Sequence, residues 1–71
     1  MKIVELKTFE DSELTFHLQD GEILRAKVDF VDFEYEDIIV TVLETNQPDH
    51  YKDPNACYTV PASDILFVGS R

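Results

Sequence analysis

The chain has 71 residues, which suffices for one domain and leaves no room for a second. Its 15 acidic and 6 basic residues give a formal charge of −9, which opposes binding to phosphate backbones and anionic lipids. The 44% hydrophobic content is too high for a disordered chain, and the single cysteine excludes an intrachain disulfide. A core this small usually needs a metal or a partner subunit for stability, so we expect one of the two.

Residues 1–11 have an ambiguous apolar pattern, which we interpret as an N-terminal arm or a short helix. The first residues lack the apolar run of a signal peptide, and acidic residues follow at once. No apolar run approaches the roughly 18 residues that a transmembrane helix needs. The sequence therefore predicts a cytoplasmic protein without a membrane partner.

A β-hairpin is predicted immediately after the arm. Leu14, Phe16 and Leu18 alternate with polar residues, as expected for a half-buried strand. Asp20-Gly21 is typical of a tight hairpin turn, because glycine accepts the positive φ that such a turn requires. The second strand is predicted over residues 22–31. Its inward-facing residues are expected to be Leu24, Ala26, Val28 and Phe30.

The rest of the chain alternates connections with three short strands. We predict an exposed acidic connection at 33–37, a strand at 38–43 and a long polar loop at 44–56. A second strand follows at 57–60, then a tight turn at 61–64 and a last strand at 65–68. Strands 38–43 and 65–68 are apolar on both faces, although a strand of a lone small barrel should present a polar face to water. We therefore expect another chain to cover their outward residues; the alternative is a larger internal core.

Two segments of this pattern resemble the motifs of the Sm/like-Sm family, which includes the Hfq-type bacterial RNA chaperones. The residues at the positions of the first motif are Gly21, Leu24, Ala26, Val28, Asp32, Tyr35, Glu36 and Ile38. The second motif corresponds to residues 60–68. The resemblance covers residues 12–69 and rests mostly on apolar positions, with Asp32 among its sharper matches.

The resemblance implies an all-β fold, a strongly bent five-stranded antiparallel barrel of the Sm-like (SH3-type) class over residues 12–69 of a single domain, 1–71. It also implies a cyclic homo-oligomer in which the fourth strand of one subunit pairs with the fifth strand of the next. Such pairing hides sheet edges that would otherwise invite aggregation. The expected interface residues are Tyr58, Val60, Ile65, Leu66, Phe67 and Val68.

The resemblance further implies a site for uridine-rich RNA between the two motifs. The candidate residues are Asp32, Phe33, Tyr35, Glu36, Pro61 and Ala62. Family members that bind uridine carry Asn at the position of Glu36 and Arg at the position of Pro61. Glutamate lacks the mixed donor and acceptor of an amide and repels phosphate, and proline offers no charge. We therefore expect a degenerate uridine pocket that binds RNA weakly, in a protein that acts as an RNA-associated or scaffolding module.

Two alternatives belong to other functional classes. An SH3-like module that binds peptides or proteins would be monomeric and would place Tyr35, Tyr51 and Tyr58 along one groove. A divalent-cation-binding oligomer would need five carboxylates of the acidic segment to converge. These carboxylates belong to Asp29, Asp32, Glu34, Glu36 and Asp37.

The sequence contains no pattern typical of a metal centre or a catalytic site. His17, His50 and Cys57 lack the spacing of metal ligands, so no metal site is predicted from them. There is no nucleophile elbow and no phosphate-binding glycine loop. We therefore predict no cofactor and no enzymatic activity.

Overall fold

The computed structural model describes residues 1–51 and 57–69, and its regular structure is mostly β. A four-residue helix, α1 (Ile3–Leu6), runs into a 3₁₀ turn at Lys7–Phe9. The five strands are β1 (Glu13–Leu18), β2 (Ile23–Asp32), β3 (Asp37–Thr45), β4 (Cys57–Pro61) and β5 (Ile65–Gly69). The prediction of an all-β fold with a short N-terminal helix is confirmed.

The five strands form one antiparallel sheet in the order β4-β3-β2-β1-β5. β1 and β2 are joined by the predicted hairpin turn, in which Gly21 has a φ of 91°. The Oδ1 atom of Asp20 accepts a hydrogen bond from the Glu22 amide at 2.9 Å and fixes the turn. Within the described residues β4 and β5 do not pair with each other, so the sheet is open and these strands are its two edges.

One face of the sheet encloses a single hydrophobic core, which draws side chains from all five strands. Phe16 on β1, Leu24 on β2 and Ile38 on β3 are fully buried in it. The strict alternation of buried and exposed residues along β1 and the first half of β2 produces this face. The core residues are Ile3, Leu6, Leu14, Phe16, Leu18, Leu24, Ala26, Val28, Val31, Ile38, Val40, Val42, Val60, Ala62 and Ile65.

A bulge in β2 overturns one predicted burial. The pairing register with β3 shifts between Val28 and Phe30. The shift reverses the side-chain alternation beyond it, since one extra residue changes the face that the next residue occupies. Phe30 is consequently exposed and Val31 is buried, whereas simple alternation from Leu24 places Phe30 inward.

Strand β3 is two residues longer than predicted at its C-terminal end. Glu44 and Thr45 continue the pairing with β2 instead of beginning the polar loop. Their polarity suggested a loop, but Glu44 projects from the sheet toward Arg25, with 3.8 Å between Oε1 and Nη1. The loop that follows contains a 3₁₀ turn at Pro48–His50, and its residues 52–56 lie outside the described residues.

The N-terminal arm packs onto the core next to the turn between β4 and β5. Leu6 is fully buried, and the Met1 nitrogen donates hydrogen bonds to the carbonyls of Ala62 (3.0 Å) and Ile65 (2.6 Å). Glu10 accepts hydrogen bonds from the Lys7 ammonium and the Val31 amide, and these two donors lower the pKa of its carboxyl group. No helix among the described residues is long and apolar enough to cross a bilayer.

Candidate functional site

The turn between β2 and β3 meets the turn between β4 and β5, and a cleft forms where they join. The second turn is a 3₁₀ segment, Ala62–Asp64, which follows Pro61, the last residue of β4. The Ala62 amide donates a 2.9 Å hydrogen bond to the Glu36 carbonyl. Because β3 and β4 are neighbours, their pairing sets Pro61 opposite Asp37. The sheet therefore brings together two segments that are 25 residues apart in sequence, at Glu36 and Pro61.

The cleft has a volume of about 310 Å³ and collects most of the residues predicted for RNA binding. Four of the six predicted residues line it: Tyr35, Glu36, Pro61 and Ala62. The remaining lining residues are Met1, Lys2 and Ser63. We call this the motif cleft.

The other two predicted residues are not among those that line the motif cleft. Asp32 organises the turn instead: its Oδ1 atom accepts hydrogen bonds from the amides of Glu34 (2.9 Å) and Tyr35 (3.3 Å). This arrangement is an Asx turn, which replaces backbone pairing in a tight connection. Phe33 is about half exposed on the same turn. Asp32 therefore positions the residues of the motif cleft without lining it.

Met1, Lys2 and Ser63 were not predicted to line this cleft, and for Met1 and Lys2 the reason lies in the N-terminal arm. The arm is placed by hydrogen bonds from the Met1 nitrogen to residues more than 60 positions away, so no local pattern indicates where it lies. Ser63 belongs to the turn after Pro61. Serine is common in turns that have no binding role, so its presence there did not indicate a site. The N-terminal arm thus supplies a cation, Lys2, to a site otherwise made from the two motifs.

The motif cleft offers one aromatic ring, the Lys2 ammonium and the Glu36 carboxylate, beside the terminal ammonium of Met1, which already donates to two carbonyls. Tyr35 is 73% exposed, so one face of its ring is free to stack on a planar group. The Lys2 ammonium is available to an anionic ligand, and the Glu36 carboxylate opposes one. This set is suited to a small planar group more than to a polyanion.

The backbone of Glu36 adopts a left-handed conformation, with φ at 54°. This conformation costs about 1–2 kcal/mol for a residue with a Cβ, and glycine and asparagine tolerate it best. Glu36→Gly is therefore expected to raise the free energy of unfolding by roughly 0.5–1 kcal/mol, because the relief of this strain exceeds the stabilisation of the unfolded chain by the entropy that glycine gains there. Denaturant unfolding at one fixed protein concentration measures it. Glu36→Ala is the matched control: it removes the same charge but keeps a Cβ, and an equal gain in both variants would contradict the backbone explanation.

The five carboxylates of the acidic segment do not converge within one chain. Asp29 accepts a 2.6 Å hydrogen bond from the Thr41 hydroxyl, while Asp32 is occupied with its own turn. Among the described residues, the groups of three ligand atoms close enough to hold a metal ion do not include any of the five. The geometry of a single subunit therefore lends no support to a cation site in this segment.

The edge strands carry the predicted interface residues, which fall into two groups. Val60 and Ile65 are almost fully buried in the chain's own core, so their side chains present little surface to another chain. Leu66 and Phe67 on β5 are 56% and 55% exposed. Phe67 stacks on His17 of β1, with ring centroids 4.2 Å apart, and is held against the sheet. Tyr58 and Val68 are partly buried against the core.

A second cleft, of about 280 Å³, lies at the tip of the β1–β2 hairpin. Glu22 lines this cleft. It is the one charged residue of the described chain that is buried, with 2% of its surface exposed. One carboxylate oxygen accepts a 2.5 Å hydrogen bond from the Thr45 hydroxyl, and the other lies 3.3 Å from Nδ1 of His50. The loop after β3 is thereby attached to the hairpin. We call this the hairpin cleft.

Tyr51 also faces the hairpin cleft. Its burial raises the pKa of its hydroxyl, and a hydrogen bond to the Glu22 carboxylate raises that pKa further. Tyr51 packs edge to face on Tyr58, with ring centroids 4.8 Å apart. Tyr35, in contrast, lines the motif cleft, so the three tyrosines do not form the single groove that the SH3-like alternative requires.

Over the described residues, the fold and the two clefts define a class of protein: an open five-stranded antiparallel sheet with β4 and β5 at its edges and small clefts at its turns. Comparison with models of known protein families, with curated proteins and with solved structures finds no match to this chain. We therefore infer the function from the geometry of the chain's own residues.

Proposed function

We propose that the chain is the subunit of an Sm-like homo-oligomeric ring, which acts as a scaffolding or RNA-associated module with a degenerate uridine pocket. The observation that carries this proposal is the order of the sheet, with β4 at one edge and β5 at the other. A subunit whose sheet has an edge strand at each end can pair head to tail with identical neighbours. Such a heterologous contact closes into a ring when the rotation between subunits allows it.

The side chains of β5 support pairing at that edge. Leu66 and Phe67 are adjacent and more than half exposed, on a short strand that pairs with β1 alone among the described strands. An exposed apolar edge strand of a monomer would be an aggregation hazard, which proteins usually avoid with charges or a covering element. Neither residue is charged, so a neighbouring subunit is the covering element that we propose.

The location of the motif cleft supports an RNA-associated role. Its composition, however, opposes tight binding of RNA. Four of the six residues that the resemblance assigns to the RNA site line one cleft, with Tyr35 available for stacking. However, Glu36 and Pro61 replace the amide and the arginine, and the chain carries a net charge of −9. We therefore propose weak RNA binding and assign the main role to the assembly itself.

The absolute mass in solution tests the assembly. Multi-angle light scattering after size exclusion should give a multiple of the 8.2 kDa subunit mass at micromolar concentration. The mass should stay constant across a tenfold dilution if the ring is closed, because closure adds an interface without adding a subunit. A monomer at these concentrations would refute the ring.

A further inference from the structure

The hairpin cleft carries an excess of negative charge beside a histidine. Asp20, Glu22 and Asp64 line it, whereas none of its described lining residues is a lysine or an arginine. An ionised carboxylate as buried as Glu22 needs charge compensation, since removing it from water is costly. Thr45 and Tyr51 give it hydrogen bonds but no charge. The cleft therefore favours a bound cation.

Three ligand atoms in the hairpin cleft are already close together. One atom each from Asp20, Glu22 and His50 lies within 4.8 Å of the other two, in a cleft open to solvent. The distance of 3.3 Å between Glu22 Oε1 and His50 Nδ1 equals the usual separation of two ligands that are each about 2.0–2.2 Å from one ion. Little movement is needed for both to bind the same ion.

The surrounding hydrogen bonds hold these ligands in place. The Oδ1 atom of Asp20 accepts a hydrogen bond from the Glu22 amide, which fixes the side chain and leaves Oδ2 to bind an ion. Thr45 holds Glu22 and also accepts a hydrogen bond from the Gln47 amide at 3.0 Å, which sets the start of the loop that carries His50. Partners of this kind orient the ligands of metal sites and strengthen ion binding.

We propose that Asp20, Glu22 and His50 form a binding site for a divalent transition-metal ion such as Zn²⁺. An imidazole with two carboxylates suits Zn²⁺ and similar ions better than Mg²⁺ or Ca²⁺, which prefer sites made of oxygen alone. The ion would join the β1–β2 hairpin to the loop after β3, and so cross-link segments 28 residues apart. This site is independent of the ring and of RNA binding.

Calorimetric titration with ZnCl₂ in metal-free buffer, together with thermal unfolding, tests the site. A Cys57→Ser background removes the exposed thiol, which could bind zinc on its own. We expect one ion per chain and a rise of several degrees in melting temperature, because the ion binds the folded chain and not the unfolded one. A titration without saturable binding would overturn the proposal.

Two substitutions identify the ligands. His50→Ala changes a side chain that is 46% exposed, and Asp20→Asn keeps the Oδ1 acceptor for the turn, so both variants should fold. Each is expected to weaken zinc binding at least tenfold and to abolish the thermal shift. His17→Ala, which removes the other histidine, is the matched control and should bind like its parent. Unchanged binding in His50→Ala or Asp20→Asn would show that the ion lies elsewhere and refute the assignment.

Discussion

Leu66→Glu is expected to convert the proposed ring into 8.2 kDa monomers that remain folded. Leu66 is 56% exposed in the single chain, so a glutamate at this position reaches water without disturbing the core. In a paired edge the same glutamate would be buried without a partner, at a cost of about 3–5 kcal/mol for each interface. That cost weakens association by about two to nearly four orders of magnitude. Light scattering gives the mass, and far-ultraviolet circular dichroism verifies the fold.

Leu43→Glu is the matched control for this experiment. Leu43 has a similar exposure of 41% but lies on β3, which is not an edge strand of the described sheet. The same change of side chain there should leave the mass unaltered. Val68 is a poorer choice for substitution because it is partly buried against the core, so a charge would also destabilise the subunit. A ring that persists in Leu66→Glu would show that subunits join through another surface.

The local patterns of the sequence were sufficient to predict the all-β fold and its first hairpin. Alternation in β1 and the Asp20-Gly21 turn are properties of neighbouring residues, and both occur where predicted. The burial of Phe30 was predicted wrongly, because the β2 bulge depends on the register with β3 and leaves no trace in the alternation itself. Periodicity reports the face of a residue only as long as the register is unbroken.

The candidate sites were predictable only where the resemblance supplied long-range information. It brought Tyr35 and Pro61 together, and both line the motif cleft. Lys2 reaches that cleft through the tertiary placement of the arm, for which the sequence has no local signal. Glu22 and His50 are likewise 28 positions apart and lack any metal-ligand spacing. Their proximity follows from the attachment of the loop after β3 to the hairpin, which only the folded sheet reveals.

Binding of oligo-uridine by the unmodified protein is expected to be weak or absent at near-physiological salt. Three causes act in the same direction: the net charge of −9 in every subunit, Glu36 in place of an amide, and Pro61 in place of an arginine. Stacking on Tyr35 contributes about 1–3 kcal/mol per base, which is too little to offset a repelled polyanion and two missing contacts. Fluorescence anisotropy with a labelled oligo-uridine measures the affinity at several salt concentrations. Submicromolar binding that resists salt would contradict this prediction.

The double substitution Glu36→Asn with Pro61→Arg is expected to improve binding by at least tenfold. Asparagine supplies a donor and an acceptor for the base edge and tolerates the left-handed backbone at this position. Arginine supplies a cation and a planar group, and the φ of −64° at Pro61 is one that any residue adopts. Glu36→Asn with Pro61→Ala is the matched control, because it removes the same proline and carboxylate without adding the cation. If the base stacks on Tyr35, adding Tyr35→Ala to the improved variant should abolish most of the gain in affinity. An equal gain in the alanine control would instead show that the arginine has no contact with the RNA and that only the loss of the Glu36 charge matters.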